Sequence, residues 1–453
     1  MSTSGSAEPH LHRGFTLLQA TALNISNVVG VGPFITIPLI LATMQGPQAM
    51  LGWIAGALLA ICDGCVWSEL GAAWPGSGGS YRFLREAYGA NKWGRLMAFL
   101  FIWQFIFSGP LEIGSGLIGF AQYLSFLIPS LTPFDMQLIA AGVGVVAFAL
   151  LYRRIGAIGK LTVTLWIGAT TTLIVVPLAG IRHFSVKLAF SFPPHAFDFS
   201  RGFAMGLGSA MLIAIYDYMG YYDVCYIGDE VREPARTIPR SIFLCILFTA
   251  IAYLALETVI LGNMPWRQAI DSHYIASDYM QMLHGKAAAV VITVLILWTA
   301  FASVFALLLG YSRIPFAAAR DGYFFSRFAR IHPTKDIPHV SLTAISLVAI
   351  ASAFFPLDAV ISTLITTRVL VQFIGQIFAL PQLRRRVDKL PYRMPLYPLP
   401  AVIALLGWLY IFATSAARYI VFGLVSLAIG LMVFCVHARV NRTWPFAQSS
   451  TIG

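Results

Sequence analysis

The chain has 453 residues, of which 58% are hydrophobic and only 11% charged, and its mean hydropathy is +0.77. Soluble domains carry about 25% charged residues, so this composition argues against a water-soluble fold. The net charge of +11 would suggest nucleic acid as a partner, but the positions of the basic residues, set out below, exclude it.

Residues 1–14 read as a cytoplasmic tail, polar and without the small-residue cleavage site of a removed signal peptide. Twelve membrane helices are then predicted, at 15–43, 47–72, 94–128, 136–153, 158–180, 202–228, 239–263, 286–312, 340–356, 358–381, 398–415 and 418–438, most of them near the ~20 residues that cross ~30 Å of hydrocarbon. The first is interrupted by Gly30-Val31-Gly32-Pro33. The second carries Cys62-Asp63-Gly64-Cys65, a spacing that suits redox or zinc chemistry, but inside an apolar helix with no second ligand pair packing is the preferred reading. The third holds Glu112 beside Gly109-Pro110. In the fifth, Lys160 stands six residues beyond Arg154, roughly 9 Å deeper at the rise of a helix; it either snorkels to the inner interface or supplies a fixed or titrating cation in place of a coupling sodium ion. The sixth is interrupted at Asp217-Tyr218-Met219-Gly220 within a tyrosine-rich run that also holds Tyr216 and Asp223. Glu257 lies in the seventh helix and Arg368 in the tenth.

An even number of spans leaves both termini in the cytoplasm. Basic residues then gather inside, at Arg82–Arg95, Arg153 and Arg154, Arg232–Arg240, Arg313–Lys335 and Arg384–Arg393. Arg182, Lys187, Arg201, Arg267, Lys286 and Arg418 fall outside, which is the asymmetry of a multi-pass membrane protein. For the Arg384–Arg386 triple, topology is preferred over anionic-lipid contact as the explanation.

Breaks in the first and sixth spans are five spans apart. Corresponding breaks in two halves point to an inverted-repeat transporter with a midplane site, because unwound backbone exposes half-helix ends and free carbonyls. The plain alternative is that Gly and Pro are common in membrane helices. Charges in hydrocarbon cost about 3 kcal/mol or more each. Acids beside free carbonyls suit an ammonium group, and tyrosine faces add cation–π attraction of about 0.5–2 kcal/mol. The alternative is that these acids are structural, for instance Glu112 or Glu257 paired with Arg368; both readings stay open. None of the nine histidines falls well inside a span, so neither an embedded His catalyst nor a His-based metal centre is supported, and Gly76-Ser77-Gly78-Gly79-Ser80 lacks the lysine spacing of a phosphate loop.

Three stretches, Glu69–Gly89 with Trp74-Pro75-Gly76, Gly228–Arg240 with Glu233-Pro234, and Ser312–Pro333 with Arg320-Asp321-Gly322, together resemble the amino acid–polyamine–organocation superfamily. They fall after spans two, six and eight, where that family has its matching loops, and with the two breaks the resemblance covers essentially the whole chain. It implies a five-plus-five inverted repeat working by alternating access. Relatives hold a substrate carboxylate on the amides of the first break and its ammonium on carbonyls of spans one and six. Here Val31 lacks the usual hydroxyl and Pro33 removes an amide donor. Gly32-Pro33-Phe34 and Glu112 look more like the L-type branch with its plant polyamine transporters. Lys160 matches the L-type lysine at the second sodium position, which implies sodium independence, and Tyr216 matches the aromatic gate.

The expectation is an all-α polytopic membrane protein of twelve transmembrane helices, with a transport core over 15–381, two further spans over 382–438 and a cytoplasmic tail over 439–453. Its function is expected to be sodium-independent transport of cationic amino acids or polyamines across the cell membrane. Asn27, Val28, Gly30, Val31, Gly32, Glu112, Tyr216, Asp217, Gly220 and Asp223 are the expected substrate residues, and Lys160 is the expected coupling group. No cofactor, metal, nucleic acid or protein partner is implied; uniport, exchange and proton symport stay open. The alternatives are a neutral amino acid exchanger and a non-transporting amine sensor.

Overall fold

The computed structural model describes residues 14–76, 78–152, 168, 171–335 and 337–446. Lys160, Arg153 and Arg154 lie outside them. The described residues fold into helices, with a single isolated bridge between Phe15 and Val231 and no strand. In chain order the main helices are α1 (Leu17–Val28), α2 (Gly32–Met44), α3 (Met50–Ala73), α4 (Ser80–Tyr88), α5 (Gly94–Leu127), α6 (Pro133–Leu151), α7 (Thr171–His183), α8 (Arg201–Tyr218), α9 (Pro234–Leu261), α10 (Ile275–Tyr311), α11 (Arg313–Arg320), α12 (His339–Ser352), α13 (Leu357–Arg368), α14 (Gly375–Arg386), α15 (Leu399–Thr414) and α16 (Ala417–Val440). Among the described residues, seven helices are long and apolar enough to cross a bilayer, and α1 with α2 forms a further, broken candidate bent by 55°.

Two predicted spans are reshaped. The sixth breaks within the expected interruption, α8 ending at Tyr218 and Gly220 adopting φ +107, a left-handed turn that glycine accepts without a Cβ clash, but the helix does not resume to 228. Only a short 3-10 turn, Asp223–Tyr226, follows. The tenth widens into a π-helical turn, Val369–Ile374, immediately after Arg368, a distortion that accumulates at functional positions.

The helices are unequally covered. In α3 the most apolar stretch is 72% buried, whereas in α6 and α16 it is 22% buried. Membrane helices associate by close packing, so α3 belongs to the inner layer and the other two form the apolar rim. Small residues allow the inner contacts: a Cβ on Gly52 would meet Ala210 of α8 at 2.6 Å, and one on Gly56 would meet Ala214 at 3.2 Å.

Backbone freed by the breaks is recaptured, as it must be where water is absent. Asn24 Nδ2 donates to the Tyr221 carbonyl at 2.7 Å, while Asn24 Oδ1 accepts from the Val224 amide at 2.8 Å. Tyr253 Oη donates to the Val28 carbonyl at 3.0 Å; inside α2, Tyr123 Oη likewise donates at 2.8 Å to the Phe34 carbonyl, which Pro38 leaves without an amide donor. Asp63, buried on α3, accepts from Tyr221 Oη at 2.6 Å and Trp408 Nε1 at 3.1 Å; the neighbouring Cys62 and Cys65 are buried free thiols.

The three motif stretches meet on one face of the bundle. Gly78 N donates to Tyr226 O at 3.2 Å, and a Cβ on Gly228 would strike Gly76 N at 2.8 Å. Tyr81 Oη donates to Asp321 Oδ2 at 3.0 Å, joined by Arg85 at 3.3 Å. Nearby, Arg384 grips the buried Glu69 with two nitrogens, each 2.7 Å from its oxygen, and the Met394 amide donates to the same carboxylate. Arg384 is therefore occupied by a protein partner, which its place in a basic triple did not suggest.

Candidate functional site

Where α1 ends and α2 begins, the peptide groups of Val28–Gly32 have no complete helical ladder. The two helices point their open ends into a cavity of about 30 Å³. Asn27, Val28, Gly30, Val31 and Gly32 line one side; Glu112 and Gly116 of α5, Tyr216, Asp217 and Met219 from the end of α8, and Ser303 and Leu307 of α10 line the rest. Such a volume holds about two water molecules.

Eight of the ten expected substrate residues thus line one cavity. Gly220 and Asp223 stand behind it. A Cβ on Gly220 would come within 3.2 Å of Val28, and Asp223 Oδ2 accepts from Asn27 Nδ2 at 2.8 Å. Lys160 lies outside the described residues.

Asp217 closes the end of α8. Its Oδ2 accepts from Thr36 Oγ1 at 2.5 Å, whereas its buried Oδ1 has no hydrogen-bond partner among the described residues. That oxygen faces the first break so closely that a Cβ on Gly32 would fall 2.1 Å from it. Tyr216 is tied by Ser115, whose Oγ lies 2.7 Å from Tyr216 Oη and donates to the Glu112 carbonyl at 2.6 Å.

Glu112 has a different environment. Arg368 brings a guanidinium nitrogen 2.8 Å from its Oε2, close enough for an ion pair although the N–H is not aimed as a hydrogen bond. Tyr311 Oη donates to the same oxygen at 2.8 Å. The guanidinium is further held by Ser108, which accepts from Nε at 3.2 Å, and by the Phe105 and Tyr311 rings at 5.8 and 5.9 Å. Of the two acids weighed as partners for Arg368, the structure selects Glu112. Glu257 is fully buried on α9 and away from the cavity.

Sequence reasoning missed Gly116, Met219, Ser303, Leu307 and Thr36. Thr36 could have been found: it is a hydroxyl four residues after Gly32 in an apolar helix, hence on the same face. Leu307 and Met219 carry no such signal.

One unpartnered carboxyl oxygen, interrupted backbone and an aromatic side chain thus share one cavity, an arrangement rich in hydrogen-bond acceptors and without a catalytic constellation among the described residues. Comparison with known proteins agrees with a transport role. The sequence model of the amino acid permease family matches residues 15–447. The chain is 23% identical to the branched-chain amino acid permease of Bacillus subtilis, over 97% of this chain and 95% of that one. It is 24% identical to the serine/threonine exchanger of the same organism, over 95% and 98%, and 24% identical to the mouse cationic amino acid transporter 4, over 82% and 58%.

Proposed function

The chain belongs to the amino acid permease family of the amino acid–polyamine–organocation superfamily, and on that premise we propose that it is a sodium-independent permease whose site takes the ammonium group of a cationic amino acid or polyamine. The observation that carries this reading is the buried, unpartnered Oδ1 of Asp217 facing the break at Gly32. A bound ammonium would donate to that oxygen and to backbone carbonyls of the first break, with Tyr216 closing over it. Glu112 acts with Arg368 as a wall of balanced charge, and Asp223 positions Asn27. Sodium independence rests on Lys160 at the second sodium position in the sequence pattern. Twelve spans, two inverted five-helix repeats and cytoplasmic termini belong to the same proposal.

The second reading, exchange of neutral amino acids, is favoured by the Arg368–Glu112 pair: one cavity acid is already neutralised, as a structural acid would be. Proteoliposomes assayed with arginine, putrescine and alanine, with and without sodium, separate the two. Sodium-insensitive arginine or putrescine uptake that Asp217→Asn abolishes supports the amine site. Alanine uptake alone, unchanged in Asp217→Asn, would overturn it.

A further inference from the structure

The guanidinium of Arg368 is only partly used by its protein neighbours. Its Nε donates to Ser108 Oγ at 3.2 Å. At the end of the fork, Nη1 meets the thioether of Met219 at 3.8 Å, and a thioether is a weak acceptor. Nη2 lies 2.8 Å from Glu112 Oε2 but aims no N–H at an acceptor among the described residues. The side chain is 1% exposed, so bulk water does not complete it, and a buried polar atom without a partner needs an explanation.

Arg384 shows the same group satisfied. There Nε and Nη2 each lie 2.7 Å from an oxygen of Glu69, the two-pronged grip to which guanidinium and carboxylate are matched in shape. At Arg368 the two terminal nitrogens form a fork of that kind with no carboxylate aligned on it. Glu112 does not serve, because its Oε2 is held by Tyr311 Oη at 2.8 Å and stands out of line with Nη2.

This fork lies directly behind the cavity wall. Met219 and Glu112, the residues against its terminal nitrogens, both line the cavity. Met219 is the first residue past α8 and stands two positions from Asp217, whose Oδ1 is the proposed ammonium acceptor. An unbranched methionine adapts its shape readily, so its sulfur is a replaceable neighbour for Nη1. The first break, meanwhile, is short of donors. The amides of Val29 and Phe34 are spent on the carbonyls of Ile25 and Val31 at 2.8 and 3.0 Å, and Pro33 has no amide hydrogen.

We propose that Arg368 is a carboxylate-binding residue of the substrate site. The α-carboxylate of the substrate replaces the Met219 sulfur and lies across Nη1 and Nη2, while the α-ammonium donates to Asp217 Oδ1. The substrate is therefore an amino acid; a polyamine has no carboxylate to engage the fork. This inference rests on the amine-site reading above and decides between the two substrate classes named there.

The test titrates purified full-length protein in detergent with L-ornithine and putrescine, which differ only in the α-carboxylate, and reads the apparent Kd of each from the shift in melting temperature. In the wild type L-ornithine is expected to bind about tenfold more tightly, the scale of one hydrogen-bonded contact to a charged group. In Glu112→Gln/Arg368→Gln, which removes both members of the pair, the two Kd values should converge, whereas Glu112→Gln alone should keep the preference. Arg368→Lys retains a cation beside Glu112 without the planar fork and should also lose most of the preference; it decides the matter where the double variant does not melt cooperatively. An undiminished preference for L-ornithine in the Arg368 variants would assign the carboxylate to the break amides and overturn the inference. Equal or tighter binding of putrescine in the wild type would overturn it while the amine site stands. Binding of neither ligand in the wild type would overturn the amine-site reading and the inference with it.

Discussion

Arg368 approaches Glu112 to 2.8 Å with the two side chains only 1% and 7% exposed. In a medium that excludes water, breaking such a pair leaves a bare charge, which costs about 3–5 kcal/mol, whereas removing both charges is often close to neutral. Glu112→Gln and Arg368→Gln should each lower thermal stability in detergent, and the double variant should be more stable than either single one. Melting curves of the three proteins check this; additive losses would show that the two residues act independently.

Gly32→Ala places a methyl group 2.1 Å from Asp217 Oδ1 and 3.2 Å from its Cγ. The carboxylate must swing away from the cavity, and a displacement near 1 Å in a binding group costs about 100-fold in activity. Uptake should fall by that order. Gly142→Ala, where a Cβ meets nothing within 4 Å, should leave uptake intact, and the two are compared in one initial-rate assay.

Tyr216 separates its ring from its hydroxyl. Tyr216→Phe removes the contact with Ser115 and should cost about 1 kcal/mol of stability while keeping the aromatic lid. Tyr216→Ala removes the lid and should reduce substrate affinity at least tenfold. Stability and uptake constants measured on both variants decide; equal uptake defects would assign the role to the hydroxyl.

Arg384→Lys is not a conservative change. Two nitrogens at 2.7 Å hold the buried Glu69, a fork that an ammonium group does not reproduce. The lysine variant should lose about 1–2 kcal/mol, the smaller share of the ~3–5 kcal/mol expected for Arg384→Ala. Stability measured by thermal shift should rank wild type above the lysine variant, with alanine last.

The legible features were those written into neighbouring residues. Pro33 lacks an amide hydrogen, and Gly32 and Gly220 tolerate turns, so interruptions near 30–33 and 217–220 could be read directly, together with the acids beside them. Hydropathy likewise placed the inner and outer helices alike, because both are apolar. Choice of partner was not legible. Arg368 selects Glu112 over Glu257, and Arg384 selects Glu69, according to helix rotation and depth, which a one-dimensional pattern does not encode. Beyond the sixth break a helix was expected to resume to 228, but after Gly220 only the 3-10 turn Asp223–Tyr226 forms.

Asn24 has one amide side chain, and both of its ends are committed to the chain that follows α8. A helix tethered in this way is yoked: α1 cannot tilt out of the bundle without dragging Tyr221 and Val224 along. The two interruptions are therefore a single joint, and when that joint flexes, the floor of the cavity and the Asp217 wall are displaced in the same stroke.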